Sequence, residues 1–459
     1  MDFSAANSAL WNPIIQIGII ATLILLSNIL RRKFKFIQKT MIPTAVLAGF
    51  LLLILKSFNL VPFISTQFLE TITYHTIALG FIAMSLRIPE KTVETEPMIG
   101  SKSGALIVST YLVQALVGLI ISLLLSYTFM PDLFKASGVL LPMAYGQGPG
   151  QANNVGSTYE SLGMIGGRSF GLSLAAAGYL CACVVGVVFL NIYSKKGKLK
   201  RANEVDEISG SVTVNTFQDK NEMPISESVD KLSIQLALVC LVYLLTFLVT
   251  WGLTELLAFI SPALANTVST LLWGFNFIIG SMIASGCRAL FTGLRKIKVM
   301  NHQYQNNYLL SRISGFLFDV MIIAGIASID IDDLSGYWLP FILMVVAGGV
   351  VTFIFLMYMS KKLYKGYMYE GFFSMYGMLT GTISSGVLLL REIDPMMKSP
   401  AANNLISGSS FGIAFGAPLL LLIGMAPKSD AMTLVVFGLV IVYLAALLLF
   451  IFKAGKKRK

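Results

Sequence analysis

The chain has 459 residues, of which 56% are apolar and only 12% are charged. Soluble domains carry about 45–50% apolar and about 25% charged residues, so a soluble globule of this length would lack the charge to cover its surface. The composition excludes an ordinary soluble enzyme, a disordered chain and a nucleic-acid-binding protein. The net charge of +11 comes from bases that lie between apolar stretches, the distribution that membrane topology favours.

Eleven apolar segments are each long enough, at about 20 residues, to cross a bilayer as a helix. In chain order they are 11–30, 42–60, 68–88, 104–129, 167–193, 231–259, 267–287, 311–329, 336–359, 403–425 and 432–453. The first segment is followed by bases from Arg31 to Lys39, whereas residues 1–10 contain Asp2 and no base. We therefore expect a retained span with an outside N-terminus, and a central linker and C-terminus that lie inside.

Two further stretches, 137–160 and 370–395, are apolar but broken by glycine. They fit this orientation only if each enters and leaves the membrane on the same face. If either one crossed fully, every later loop would move to the opposite side, and the basic loops would lie outside. Irregular backbone at membrane depth is tolerated only where protein or a wet cavity satisfies its hydrogen bonds. We therefore expect two re-entrant hairpins, one entering from outside and the other from the cytoplasm.

The two hairpins carry related motifs in the same order. Tyr145-Gly146-x-x-x-Gly150 recurs 231 residues later as Tyr376-Gly377-x-x-x-Gly381. Gly167-x-Ser169-Phe170-Gly171 recurs 241 residues later as Gly408-x-Ser410-Phe411-Gly412. The order and the similar offsets indicate an internal repeat.

Each repeat then contains four spans, a hairpin and a fifth span, and the odd number of crossings inverts the second repeat. The predicted fold is an all-α polytopic membrane protein with an N-terminal repeat (1–193), a cytoplasmic linker (194–231), an inverted C-terminal repeat (232–425) and an appended span with a basic tail (426–459). Inverted repeats with broken helices are typical of secondary transporters. The alternative is a glycine-rich interface between packed helices.

The hairpin sequences Gly146-Gln147-Gly148-Pro149-Gly150-Gln151-Ala152 and Gly381-Thr382-Ile383-Ser384-Ser385-Gly386 give the chain a family resemblance. The chain resembles the bacterial sodium:glutamate symporter family, which has Gly-Gly-His-Gly-Thr-Gly-Ala-Ala in its first hairpin and Gly-Ala-Thr-Pro-Thr-Ala in its second. Small residues are kept, whereas Gln147, Pro149 and Ser384 stand where the family has histidine, threonine and proline.

The resemblance implies a sodium-coupled symporter that imports glutamate or a related small carboxylate across the bacterial inner membrane. It also implies a homodimer in which a transport domain moves against a fixed scaffold, as in an elevator. The expected partners are the anionic solute, membrane lipid and a second copy of the chain, with sodium as coupling ion, no resident cofactor and no nucleic acid.

The small and polar residues of the hairpins are the candidate site, because exposed carbonyls, amides and hydroxyls supply the oxygens that a dehydrated cation needs. The candidate substrate-binding residues are Gln147, Gly148, Gly150, Gln151, Asn153, Arg168, Thr380, Gly381, Thr382, Ser384 and Ser385. The candidate ion-binding residues are Tyr145, Gly146, Asn154, Gly377, Gly386, Asp319 and His75. For any one polar residue, the alternative is that it satisfies the bent backbone itself.

Three of these candidates are ionisable, and each has an alternative role. Arg168 could pair with a substrate carboxylate, or it could be an interfacial anchor or a partner of Glu160. Asp319 and His75 lie within apolar spans and could bind the coupling ion or relay a proton. Alternatively, Asp319 faces water and His75 is a hydrogen-bonded packing residue.

An intramembrane enzyme is disfavoured, because the sequence contains no His-Glu-x-x-His, no Gly-x-Ser-x-Gly and no aspartate dyad at membrane depth. The four cysteines lie inside apolar runs, so neither a disulfide framework nor a zinc site is expected. Two alternatives stay open: a proton-coupled carrier of a different small solute, and a channel or sensor built on a transporter fold.

Overall fold

The computed structural model describes residues 3–4, 7–35, 37, 42–88, 98–197, 225–260, 269, 272–273, 276–300, 304–394 and 399–454. Within these ranges the regular structure is helical and includes no strand. The helices are α1 (Ser8–Lys33), α2 (Thr44–Ser57), α3 (Thr66–Leu86), α4 (Ile99–Thr128), α5 (Pro149–Ser161), α6 (Gly167–Leu180), α7 (Gly186–Lys195), α8 (Ile225–Ile260), α9 (Asn276–Lys296), α10 (Asn307–Ala327), α11 (Trp338–Leu363), α12 (Met368–Thr380), α13 (Ile383–Arg391), α14 (Ala401–Met425) and α15 (Asp430–Lys453). Short 3-10 segments lie at Lys135–Val139, Asp332–Leu334 and Ala426–Lys428, and π turns lie at Pro142–Gly146 and Cys181–Val185.

Ten helical segments in the described part of the chain are long and apolar enough to cross a bilayer. The prediction of a polytopic helical membrane protein is therefore confirmed. The expected span 42–60 is shorter in the structure, where its helix α2 has only 14 residues. At about 1.5 Å per residue α2 is about 21 Å long, which is shorter than the ~30 Å hydrocarbon core. The number of crossings and their orientation stay predictions.

The central linker is largely outside the described residues. The preceding helix α7 ends at Lys195, and α8 begins at Ile225. Residues 225–231, which were predicted to belong to the linker, are therefore helical. The start of the expected span 267–287 also lies partly outside the described residues, and α9 continues from Asn276 to Lys296.

The chain divides into two compact units. The first unit comprises residues 1–67, 92–203 and 325–459, which include α1, α2, α4 to α7 and α11 to α15. The second unit comprises residues 68–91 and 204–324, which include α3, α8, α9 and most of α10. Both glycine-broken stretches therefore belong to the first unit.

Helix α4 is the centre of the first unit and contacts α11, α14, α15 and the 3-10 segment at Lys135–Val139. Glycines bring these elements close, as is common where helices pack in membranes. A Cβ at Gly104 would lie 2.5 Å from Phe411 Cβ on α14. A Cβ at Gly118 would lie only 2.0 Å from the carbonyl oxygen of Gly138. The start of the first broken stretch is therefore packed backbone to backbone against α4.

The appended helix α15 also belongs to the first unit, where it packs on α4. Its first residue, Asp430, forms an ion pair with Lys135, whose ammonium group also lies 5.2 Å from the centre of the Tyr127 ring. The hydrogen bond to Asp430 raises the pKa of Lys135. The pair connects the start of α15 to the segment that leads into the first broken stretch.

The second unit has a core of its own, formed by α3, α8, α9 and α10. Its buried residues are Ile82, Ala83, Leu86, Val239, Val242, Ala284, Leu310 and Ile313. Arg288 on α9 donates to the carbonyl oxygens of Ser85 (3.0 Å) and Arg87 (3.1 Å). A guanidinium at these carbonyls stabilises the C-terminal end of α3, where helical partners are missing.

The Gly118–Gly138 contact gives the first prediction. Gly118→Ala is expected to lower the free energy of unfolding by about 1–3 kcal/mol, because the added methyl group must displace rigid backbone. Gly438→Ala on α15 is the matched control, since its Cβ position has no described atom within 4 Å beyond its own stretch of helix. Thermal unfolding of the purified protein in detergent measures both variants, and equal midpoints would contradict the close packing.

Candidate functional site

The second broken stretch is an antiparallel pair of helices, α12 and α13, joined at Gly381 and Thr382. A Cβ at Gly377 would lie 2.7 Å from the carbonyl oxygen of Ser385. A Cβ at Gly386 would lie 2.4 Å from the carbonyl oxygen of Ser374. Both glycines thus allow the two helices to touch, and a role for either in ion binding stays a prediction.

The first broken stretch is less regular. The chain passes through the π turn Pro142–Gly146 and breaks at Gln147 and Gly148, and then α5 begins at Pro149. Gly148 has φ +87°, a conformation that favours glycine. Proline suits the first position of α5, because that position needs no N–H donor. The local sequence therefore determines where this helix is interrupted.

The two breaks lie beside each other within the first unit. A Cβ at Gly148 would lie 3.5 Å from Thr382 Cγ2 and 3.7 Å from the carbonyl oxygen of Gly381. Helix α6 lies against both stretches, because a Cβ at Gly178 would be 2.4 Å from the carbonyl oxygen of Thr380 and 3.0 Å from Tyr145 Cδ1. Stretches that are more than 200 residues apart in the sequence therefore meet at their interruptions.

Several polar atoms near the breaks are buried without a hydrogen-bond partner in the described structure. They are both amide atoms of Gln151 (0% exposed), Oδ1 of Asn153 (4%), Oγ of Ser385 (1%) and Oγ1 of Thr382. Leaving a buried polar group unsatisfied costs about 1–3 kcal/mol, so native proteins contain few such groups. Other such atoms occur elsewhere in the described chain, but those near the breaks are the ones that a polar ligand at the breaks could satisfy.

Helix N-termini and a helix C-terminus, which carry partial charges of opposite sign, meet at the two breaks. The helices α5 and α13 begin at the breaks, and neither has a side-chain hydrogen bond at its N-cap, so their first N–H groups are open to another acceptor. Helix α12 ends there, at Thr380. The N-termini attract negative charge and the C-terminus attracts positive charge, each with a field of about half an elementary charge.

Gln114, on α4, lies at the breaks and was missed by the sequence interpretation. Its amide nitrogen donates to Thr352 Oγ1 (3.0 Å) and to the carbonyl oxygen of Leu379 (2.8 Å) in the last turn of α12. It is the single amide side chain in the apolar helix α4, and this isolation was the available signal. Tyr179, on α6, was also missed, and its hydroxyl lies 3.7 Å from the Cβ position of Gly148.

Some candidate residues form contacts that hold the two broken stretches in place. The Tyr145 hydroxyl donates to the carbonyl oxygen of Val345 on α11 (2.9 Å), and the Thr380 hydroxyl donates to the carbonyl oxygen of Tyr376 (2.7 Å). A Cβ at Gly146 would lie 2.3 Å from Cδ1 of Tyr111. These contacts agree with the alternative that bent backbone is held by its own neighbours.

The remaining hairpin candidates differ in position. Gln147 is partly buried at the break, Gly150 is buried in the first turn of α5, and Asn154 is buried one turn later. The side chain of Ser384 lies outside the described residues. Ligand contacts of these four residues stay predictions.

Arg168 lies away from the breaks. A Cβ at Gly156 would be 2.6 Å from Arg168 Cα, which places Arg168 beside a point about 12 Å along α5 from Gly148. The backbone N–H of Arg168 donates to Glu160 Oε1 (3.0 Å), so Glu160 satisfies the first turn of α6. Binding of a carboxylate by Arg168 stays a prediction.

His75 and Asp319 belong to the second unit. His75 Nδ1 lies 2.6 Å from the Tyr243 hydroxyl, and the rings of Tyr74 and Tyr243 meet the imidazole edge to face. This environment favours the packing role for His75. Asp319 is exposed on α10. No group of three His, Cys, Asp or Glu residues that could hold a metal occurs in the ranges that the structure describes.

No family model and no curated protein matches the chain. The resemblance to sodium:glutamate symporters therefore stays a prediction from the hairpin motifs. The geometry of the two breaks is the basis for assigning a function.

The packing of α12 against α13 gives the second prediction. Gly386→Ala is expected to separate the two helices and to lower the unfolding midpoint, because its methyl group would meet the Ser374 carbonyl at 2.4 Å. Gly416→Ala on α14 is the control, since its Cβ position has no described atom within 4 Å beyond its own stretch of helix. Thermal unfolding in detergent compares the two, and a Gly386→Ala midpoint at or above that of Gly416→Ala would contradict the contact.

Proposed function

We propose that the chain is a secondary transporter that moves a small carboxylate, such as glutamate, across a membrane together with sodium. The observation that carries the proposal is the meeting of two broken helices at a cluster of buried polar atoms that lack partners, within an apolar helical unit. Carriers place solute sites where broken helices expose N–H and carbonyl groups near the membrane midplane.

The carboxylate is recognised by the N-terminal ends of α5 and α13 together with Gln151. The open N–H groups of the first turns are donors, and the positive ends of the two helices favour an anion. Gln151 lies in the first turn of α5 and its buried amide has no other partner in the described chain. Its nitrogen is available to donate to a carboxylate oxygen, and such a charge-assisted hydrogen bond is strong.

Transport follows from alternate exposure of this site. In the proposed topology, the two stretches are re-entrant hairpins of inverted repeats, so each reaches the site from a different face. The solute binds between their interruptions, and movement of the transport domain past a scaffold exposes the site to one side at a time. The elevator movement, the homodimer and the bacterial inner membrane rest on the family resemblance.

Sodium coupling is supported by the chemistry of the cluster. Sodium prefers several carbonyl, amide and hydroxyl oxygens to soft ligands. Asn153, Thr382 and Ser385 each contribute a buried oxygen without a partner in the described residues. A cation bound beside the carboxylate offsets its charge, so that the pair enters a low-dielectric site more easily than either ion alone.

The proposal predicts sodium-driven accumulation of an acidic amino acid or dicarboxylate. Purified protein in liposomes is expected to take up labelled glutamate when sodium chloride is outside, and not when choline replaces sodium at constant pH. Unlabelled solute on the far side is expected to accelerate entry of label, because a carrier exchanges the two whereas a pore only equilibrates them. Full uptake in choline would contradict sodium coupling, and the absence of exchange would contradict a carrier.

Replacement of the unsatisfied amide of Gln151 is expected to weaken solute binding without lowering the stability of the ligand-free protein. Gln151→Leu is expected to raise the dissociation constant of the carboxylate by about tenfold or more, because a hydrogen bond to a charged group is lost. The ligand-free protein is expected to be as stable as the parent or more stable, since a buried unpaired amide is removed.

Gln235→Leu is the matched control. Gln235 is equally buried (1% exposed), but its amide donates to the carbonyl oxygen of Tyr304 (2.7 Å) and accepts from the N–H of Asn306 (3.1 Å). Its replacement is expected to lower the free energy of unfolding by about 1–3 kcal/mol and to leave solute affinity unchanged. Thermal unfolding with and without solute measures both quantities. Loss of stability in Gln151→Leu without loss of affinity would remove Gln151 from the site.

A further inference from the structure

The amide of Gln114 is held in one orientation. Its nitrogen lies 2.8 Å from the carbonyl oxygen of Leu379 and 3.0 Å from Thr352 Oγ1. A carbonyl oxygen accepts hydrogen bonds and cannot donate them, so the NH₂ group must face Leu379. The orientation of the amide oxygen is therefore fixed by chemistry.

The oxygen on the other side of this amide is buried and has no partner. Gln114 is 1% exposed, and its Oε1 makes no hydrogen bond to any described residue. A Cβ at Gly146 would lie 3.1 Å from this oxygen, so it faces the end of the π turn directly before the first break. Since an amide oxygen only accepts, its partner must be a hydrogen-bond donor or a cation.

The local field favours the cation. Gln114 holds the last turn of α12, and the C-terminal end of a helix carries partial negative charge on its free carbonyl groups. The positive helix ends, at Pro149 and Ile383, follow the breaks in the chain. Gln114 is thus bonded to the negative end of α12, whereas Gln151 lies in the first turn of α5, at a positive helix end.

We propose that Gln114 Oε1 is a ligand of a bound cation, either an alkali ion or the protonated amine of a zwitterionic solute. The inference rests on the proposed function, in which such a cation travels with the carboxylate. A cation at Oε1 polarises the amide and strengthens the N–H hydrogen bond to Leu379, because linked hydrogen bonds reinforce one another. Cation binding is thereby coupled to the attachment of the second hairpin to α4.

The test uses the full-length protein in nanodiscs and needs no transport. The midpoint of thermal unfolding is measured while sodium chloride replaces choline chloride at constant ionic strength. Gln114→Met, which keeps the side-chain length and removes the oxygen, is expected to raise the half-saturating sodium concentration by about tenfold or more. Thr352→Val is the matched control, because it removes a partner of the amide nitrogen and leaves Oε1 in place; its half-saturating concentration is expected to be unchanged.

A second variant covers the case in which Gln114→Met does not fold. Gln114→Glu retains oxygen ligands and loses the N–H donor, so its sodium response is expected to persist at the same or lower concentration. Loss of the sodium response in Gln114→Glu would overturn the assignment, and so would a parental response to every cation in Gln114→Met.

A parallel titration in sodium-free buffer identifies the source of the positive charge. Glutamate and glutarate both have two carboxylates, and only glutamate has an amine. If the parent protein prefers glutamate and Gln114→Met does not, the ligand of Oε1 is the amine of the solute. A preference that is kept while the sodium response is lost assigns the oxygen to the alkali ion. A wild-type protein that responds to neither sodium nor the amine overturns the cation site. Cation binding without uptake into liposomes would overturn the transport function and leave the site in place.

Discussion

The dominant physical constraint on this molecule is that a helix interrupted inside apolar protein leaves N–H and carbonyl groups without helical partners. Such groups must find other partners, because bare amides in a low-dielectric environment cost several kcal/mol each. Here two interruptions lie side by side, with Gly148 close to Thr382 and with Gly178 against the Thr380 carbonyl. Glycine is needed at Gly178 because a Cβ there would collide with the Thr380 carbonyl, and at Gly148 because φ is positive. The adjacency of the two interruptions places the unsatisfied groups that flank each of them in one region, and this region is the candidate site.

The two repeated motifs are not held in the same way. Tyr145 ties the first broken stretch to α11 through the Val345 carbonyl, whereas its counterpart Tyr376 has a buried hydroxyl with no hydrogen bond in the described chain. The second stretch is instead held to α4 by Gln114. An inverted repeat predicts equivalent contacts, so this difference follows from side chains outside the motif. The two broken stretches are therefore held in place by different contacts, even though their glycine patterns are alike.

The sequence predicted the helical segments and the two interruptions well, because apolar length and glycine or proline breaks are local properties. It predicted α2 as a full span because its flanks are apolar, although the helix ends at Ser57, next to Lys56, which donates to the Ala327 carbonyl (3.3 Å). It did not predict Gln114, whose role depends on residues 238 and 265 positions away. Nor did it predict that Gly377 and Gly386 each face the backbone of the neighbouring helix, and their role in ion binding stays a prediction. Long-range proximity is the information that a single sequence lacks.

The polar groups that would face a charged ligand at the site are dipoles and not ionised side chains. The partnerless groups belong to amides and hydroxyls, and the helix ends add partial charges of both signs. Such a site is cheaper to keep inside a membrane than a buried arginine or aspartate, because it needs no counter-ion when it is empty. Partial charges are too weak, however, to offset a full anion alone in a low-dielectric interior. The proposed carboxylate, bound between these helix ends, would therefore need a cation beside it, and the proposed ion coupling would follow from the way the site is built.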